Sequence, residues 1–248
     1  MTRSTPVAGC SENPRLLRSA VTSLIAVAVP LLLVALFGTS RLQLGTGYTF
    51  KVFAVFCAGA LLVLRGLPSH HPFRSIGPAN EVTLSRGALV ALLAGLIGES
   101  APGVPAVATA VALTVTVMDG IDGWLARRTS MASSFGARFD METDAVLIAV
   151  LAVLAWQFRK VGAWVLLSGA MRYLFVLAAA AVPLLRRPVP ASKRGKSIAV
   201  VQMLALIIAI APASSTRVAN AVAAVALGLL IASFLLDVVW LRQRAHRD

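Results

Sequence analysis

Acidic residues are scarce in this chain: ten in 248 residues, against 23 Lys and Arg. Charge of any kind is low, at 13%, where a soluble domain carries about a quarter. That shortage, with a mean hydropathy of +0.84, excludes an ordinary water-soluble globule. Cysteine is nearly absent as well. Cys10 and Cys57 form no C-x-x-C pair, which leaves no disulfide framework and no thiolate metal site. "VAGC" near the start has the look of a lipoprotein cleavage site, but no apolar segment precedes it, so a signal peptide is not expected.

Long apolar runs are abundant. They fall at about 17–37, 51–65, 83–98, 104–118, 144–157, 161–184, 197–213 and 217–240. A bilayer-spanning helix needs about 20 predominantly apolar residues, so these runs predict a single all-α, polytopic transmembrane bundle of eight spans. The stretch 66–80, "GLPSHHPFRSIGPAN", is the clearest break, because Pro68, Pro72 and Pro78 make it a poor helix. The net charge of +13 does not form one stripe but flanks the apolar runs. It therefore reads as a topology signal and not as a nucleic-acid surface. With eight spans, seventeen of the 23 Lys and Arg fall on one side, five on the other, and Arg172 stays inside a span. Both termini are accordingly expected in the cytoplasm.

Five of the ten acids crowd between Met118 and Asp144: Asp119, Asp122, Asp140, Glu142 and Asp144. Asp119 and Asp122 are three apart, Asp140 and Asp144 four apart, so each pair shares a helical face. Four unpartnered carboxylates at a membrane edge would repel one another at high cost. Divalent cations remove that cost, and an all-carboxylate set left open for phosphates suits Mg²⁺ or Mn²⁺. Gly123 and Ala126 between the pairs let a ligand approach closely, and Arg127 suits a phosphate oxygen. The opposing interpretation makes these acids solvated helix ends paired with Arg127, Arg128 and Arg138. Glu142 is offset from the aspartate face and is read as peripheral.

The pattern D-x2-D-G-x2-A-R-x8-G-x3-D-x3-D, filled by Asp119, Asp122, Gly123, Ala126, Arg127, Gly136, Asp140 and Asp144, resembles the signature of the CDP-alcohol phosphotransferases. These are integral membrane enzymes of phospholipid synthesis. "NEVTLSR", with Asn80, Thr83 and Arg86, resembles the segment that enters the family's first core helix, and Lys193, Gly195 and Lys196 resemble its basic "G-K" segment. The resemblance implies a six-helix catalytic core over 80–248. Residues 1–79 are left as a cytoplasmic segment and an accessory helical pair.

It also implies a reaction, in which a CDP-linked donor passes its phosphoryl-alcohol group to an acceptor hydroxyl and CMP leaves. Asp119, Asp122, Asp140 and Asp144 would bind two Mg²⁺ or Mn²⁺ ions, with Asp144 also the general base. Asn80, Thr83, Gly123, Ala126, Arg127 and Gly136 would surround the nucleotide end of the donor. CDP-diacylglycerol is the expected donor and a homodimer in the bacterial plasma membrane the expected state. Arg172, Lys193, Arg194 and Lys196 are candidates for the acceptor, for example glycerol 3-phosphate or inositol phosphate. Ala145 departs from family members with phosphorylated acceptors, which often carry Lys or Arg there, so a neutral or zwitterionic alcohol stays open. Three rivals also stand: a CDP-linked head group given to a lipid alcohol, a divalent-cation transporter, and a non-catalytic lipid-binding descendant.

Overall fold

The structure is a computed structural model and describes residues 14–70, 73, 75–128, 133–182 and 193–245. Eight α-helices and no strand are present among them. In chain order they are α1 (Pro14–Leu42), α2 (Gly47–His70), α3 (Pro78–Gly95), α4 (Val104–Arg128), α5 (Ser134–Gln157), α6 (Leu166–Ala181), α7 (Lys193–Ile210) and α8 (Thr216–Ala245). α1, the Gly47–Leu67 stretch of α2, the Val104–Ile121 stretch of α4 and the Thr216–Gln243 stretch of α8 are long and apolar enough to cross a membrane. Their outer faces are greasy, with Phe37, Phe50, Leu62, Val117 and Val225 all exposed. A surface of that kind belongs against lipid.

The helices outrun the apolar runs at their polar ends. α5 starts at Ser134, ahead of the apolar run at 144, because the Ser133 hydroxyl caps it by accepting the Gly136 N–H at 3.0 Å. Asp140 and Asp144 consequently sit inside α5 and not at its start. Lys193 and Lys196 form the first turn of α7 and do not precede it. α2 likewise runs on through Pro68 to His70, past the expected break, since Leu67 is buried with Leu16, Ala20, Ile76 and Phe135 and holds the last turns in place. α3 begins sharply at Gly77–Pro78: Gly77 has φ +82°, and proline opens the helix.

α5 is the axis of the core, with Leu147, Leu151 and Leu154 fully buried against α3, α6 and α7. The accessory pair packs on α3, and α2 also reaches α5. At the α2–α3 crossing a Cβ on Gly95 would lie 2.4 Å from Val52 Cγ2, so only glycine lets the two helices approach this closely. The helix ends remote from the acidic stretch are clamped by polar contacts. Glu99 accepts the Gly45 N–H and the Lys51 ammonium, both at 2.8 Å, while Gln157 Nε2 donates to the Glu99 backbone carbonyl at 3.0 Å.

Candidate active site

Three helices bring the site together. α3 supplies Arg86, α4 supplies Asp119, and α5 supplies Asp140 and Asp144 one turn apart. Carboxylate oxygens of Asp119, Asp140 and Asp144 all lie within 4.8 Å of one another. The Arg86 guanidinium is fully buried among them. Its Nη1 donates to Asp140 Oδ1 at 2.7 Å and its Nη2 to Asp144 Oδ1 at 2.5 Å. Asp119 Oδ1 stands 3.1 Å from Nη1, a charge contact. Asp119, Asp140 and Asp144 thus share a cation from a different helix, α3, where the opposing interpretation looked to Arg127, Arg128 and Arg138.

By sequence, Arg86 stands out only in the segment that resembles the entry to the family's first core helix, and it counts with the cations on the cytoplasmic side. In fact it lies within α3, so Arg172 is not the only arginine inside a helical span. The signal was present: Asn80, Thr83 and Arg86 recur every third residue of an apolar helix, and all three are buried. A buried arginine in such a helix needs anionic partners.

The remaining predicted residues divide into three groups. Asn80 and Gly136 meet at the α3–α5 crossing, where a Cβ on Gly136 would fall 2.7 Å from Asn80 Oδ1. Asn80 is itself fixed by donating Nδ2 to the Ile76 carbonyl, and Thr83 donates to the Ala79 carbonyl. Gly123 is on α4, half-buried, beyond Asp119. The second group is engaged elsewhere. Arg172 on α6 holds the exposed Glu142 through an ion pair, and Arg194 on α7 holds Asp237 of α8. Lys196 is exposed on α7. The third group, the side chains of Asp122, Ala126, Arg127 and Lys193, lies outside the described residues.

The donor set fits a hard divalent cation. Three carboxylates against one guanidinium leave a net charge of about −2 in a half-buried space, and oxygen-only ligation is what Mg²⁺ and Mn²⁺ take. A model of the CDP-alcohol phosphatidyltransferase family matches residues 78–235. The chain belongs to that family. No curated protein and no solved structure matches it. Membership makes the chain a transferase of phosphatidyl groups from a CDP-alcohol to an alcohol. Together with the four apolar helices, it also makes the chain an integral membrane protein. The matched span contains α3 to α7 and most of α8, and leaves α1 and α2 outside.

Proposed function

We propose that this family member transfers the phosphatidyl group of CDP-diacylglycerol to the hydroxyl of a polar acceptor and releases CMP. The observation that carries the reading is the trio Asp119, Asp140 and Asp144, with oxygens within 4.8 Å, inside the family's span. Residues 80–248 act as the catalytic core and 1–79 as an added segment. All eight helices cross the bilayer, with the acidic end in the cytoplasm of a bacterial cell. The bias of Lys and Arg toward that end supports this orientation. A homodimer is part of the proposal.

Asp119, Asp140 and Asp144, joined by Asp122, would hold two Mg²⁺ or Mn²⁺ ions. Bound there, the ions supply positive charge for the donor diphosphate. The chain's own groups do the rest. Asp144 takes the proton of the acceptor hydroxyl as its oxygen bonds to phosphorus, typically contributing about 10²–10⁴-fold. Arg127 binds a phosphate oxygen, and Gly123, Ala126 and Gly136 leave room for the nucleotide beside Asn80 and Thr83. For an acceptor phosphate, the first turn of α7 carries Lys193, Arg194 and Lys196 at a helix N-terminus, which favours an anion, although Arg194 would have to leave Asp237. Arg172, a further candidate, is held by the ion pair with Glu142 of α5.

The test is CMP release by the purified protein in lipid, with CDP-diacylglycerol, Mg²⁺ or Mn²⁺ and a panel of alcohols. Acceptor-dependent release that disappears in Asp144→Asn establishes the reaction and names the acceptor. Release from CDP-linked head groups with diacylglycerol, and none with CDP-diacylglycerol, reverses the donor assignment. Divalent-ion flux without CMP release sinks the proposal.

A further inference from the structure

A groove of about 470 Å³ lies between α2, α3 and α5. It is separate from the acidic site. At about 100° per residue, Asp140 and Asp144 fall on the far side of α5 from its lining residues Phe135, Phe139 and Val146. One wall is the accessory helix α2, from Val55 to Gly66, about 16 Å of helix at 1.5 Å per residue. The volume is that of a ligand site. Ala58, Gly59 and Leu62 on this wall are exposed, so the groove opens sideways toward lipid.

Two features of the groove fit an occupant. Gly59 of α2 and Gly87 of α3 line it, and a Cβ on either would meet no atom within 4 Å. Neither glycine serves a close helix crossing, although glycine inside a helix costs about 1 kcal/mol relative to alanine. The second feature is charge. Arg138 lines the groove near its Phe135–Gly66 end, and Arg65 stands beside Gly66 on α2. Neither has a partner among the described residues. Glu142 is four residues from Arg138, yet it turns to Arg172 and leaves the Arg138 guanidinium available. The positive N-terminal end of α5 lies at the same level.

We infer that this groove binds one acyl chain of an anionic glycerophospholipid, its phosphate held by Arg138 and its chain lying between α2, α3 and α5. The lipid is a bound component that joins the accessory pair to the core, distinct from the donor at the acidic site. Apolar walls along the membrane and an unpaired cation at one end match an amphiphile of that charge, and a zwitterionic head would gain less from Arg138.

The test uses the full chain in lipid nanodiscs with phosphatidylglycerol or phosphatidylcholine bearing a photoactivatable acyl chain. Labelled peptides are then mapped by mass spectrometry. Label from the phosphatidylglycerol probe should fall within 55–66 and 135–146 and drop severalfold in both Gly59→Leu and Gly87→Leu. Arg138→Gln should weaken binding of the anionic probe about tenfold, the loss expected for one charge-assisted hydrogen bond, and spare the zwitterionic one. Labelling should survive Asp144→Asn and chelation of divalent ions, so the outcome does not depend on the catalytic proposal. Labelling abolished by chelation would assign the probe to the acidic site and overturn the inference. Equal labelling by both probes, no effect of the leucines, or a second copy of the chain crosslinked through α2 in place of lipid would each overturn it too.

Discussion

Replacing Arg86 by Gln tests the charge balance of the acidic site directly. Wild-type Arg86 is fully buried and meets three carboxylates, two of them by hydrogen bonds of 2.7 and 2.5 Å. Removing the guanidinium takes away the cation that these three acids, with oxygens within 4.8 Å of one another, share. Breaking a buried ion pair costs about 3–5 kcal/mol. The Asp140 side chain is 31% exposed and that of Asp144 19%, so solvent screening places the cost near the lower end, about 3 kcal/mol. For a chain of this size that is a fall in Tm of about 6–12 °C. The assay is thermal unfolding in detergent, with chelator and with saturating Mn²⁺. In chelator, Arg86→Gln should melt well below wild type. Manganese should then raise the mutant's Tm more than the wild type's, because an ion at 100 times its Kd stabilises by about 2.7 kcal/mol and in the mutant meets the carboxylates without the repelling charge of Arg86. A mutant that melts with wild type in chelator, or gains no more from Mn²⁺ than wild type does, would refute the reasoning.

Other substitutions probe the scaffold. Gly136→Ala sets a methyl 2.7 Å from Asn80 Oδ1, which cannot retreat while Nδ2 is bonded to Ile76. Overpacking of this kind costs about 1–3 kcal/mol, and since α5 carries Asp140 and Asp144 its displacement should also lower kcat, measured as CMP release. Gly95→Val meets Val52 Cγ2 and should loosen the accessory pair, read as faster proteolysis between α2 and α3, with the 78–235 core staying intact. Glu99 has its pKa lowered, chiefly by the hydrogen bond from Lys51. A depressed folded-state pKa contributes stability that is present above the ordinary carboxylate value near 4.5 and lost as pH falls through the folded value. Glu99→Gln should therefore flatten the acid limb of a Tm–pH profile and leave its neutral-to-acid difference smaller than in wild type.

The eight helices were legible because apolar runs report burial in lipid or core directly. Their ends were not, since α5 is extended to Ser134 by a cap and α2 to His70 by the burial of Leu67. Asp119, Asp140 and Asp144 could be grouped from spacing alone, given two helices meeting end to end. Arg86 was missed as a site residue for a physical reason. A cation at the edge of an apolar run looks the same whether it faces water or is drawn inward by acids on other helices; the three-residue spacing of Asn80, Thr83 and Arg86 was a hint, and the tertiary contact decides. Arg172 shows the reverse case: a charge inside an apolar run looked like a cavity residue, and the structure gives it Glu142.

The same contact explains how an acidic membrane site persists before any ion arrives. Three aspartates without a partner would spread α3, α4 and α5 apart or take up protons. Arg86 prevents both, but only in part, because it carries one charge against three. Among these three aspartates about two negative charges remain, which divalent ions would neutralise. A lysine would have offered a point charge without the planar fork that lets one side chain serve Asp140 and Asp144 together. The Arg86 guanidinium at the centre therefore keeps the helices assembled while leaving net negative charge, as the proposed metal-dependent transfer requires.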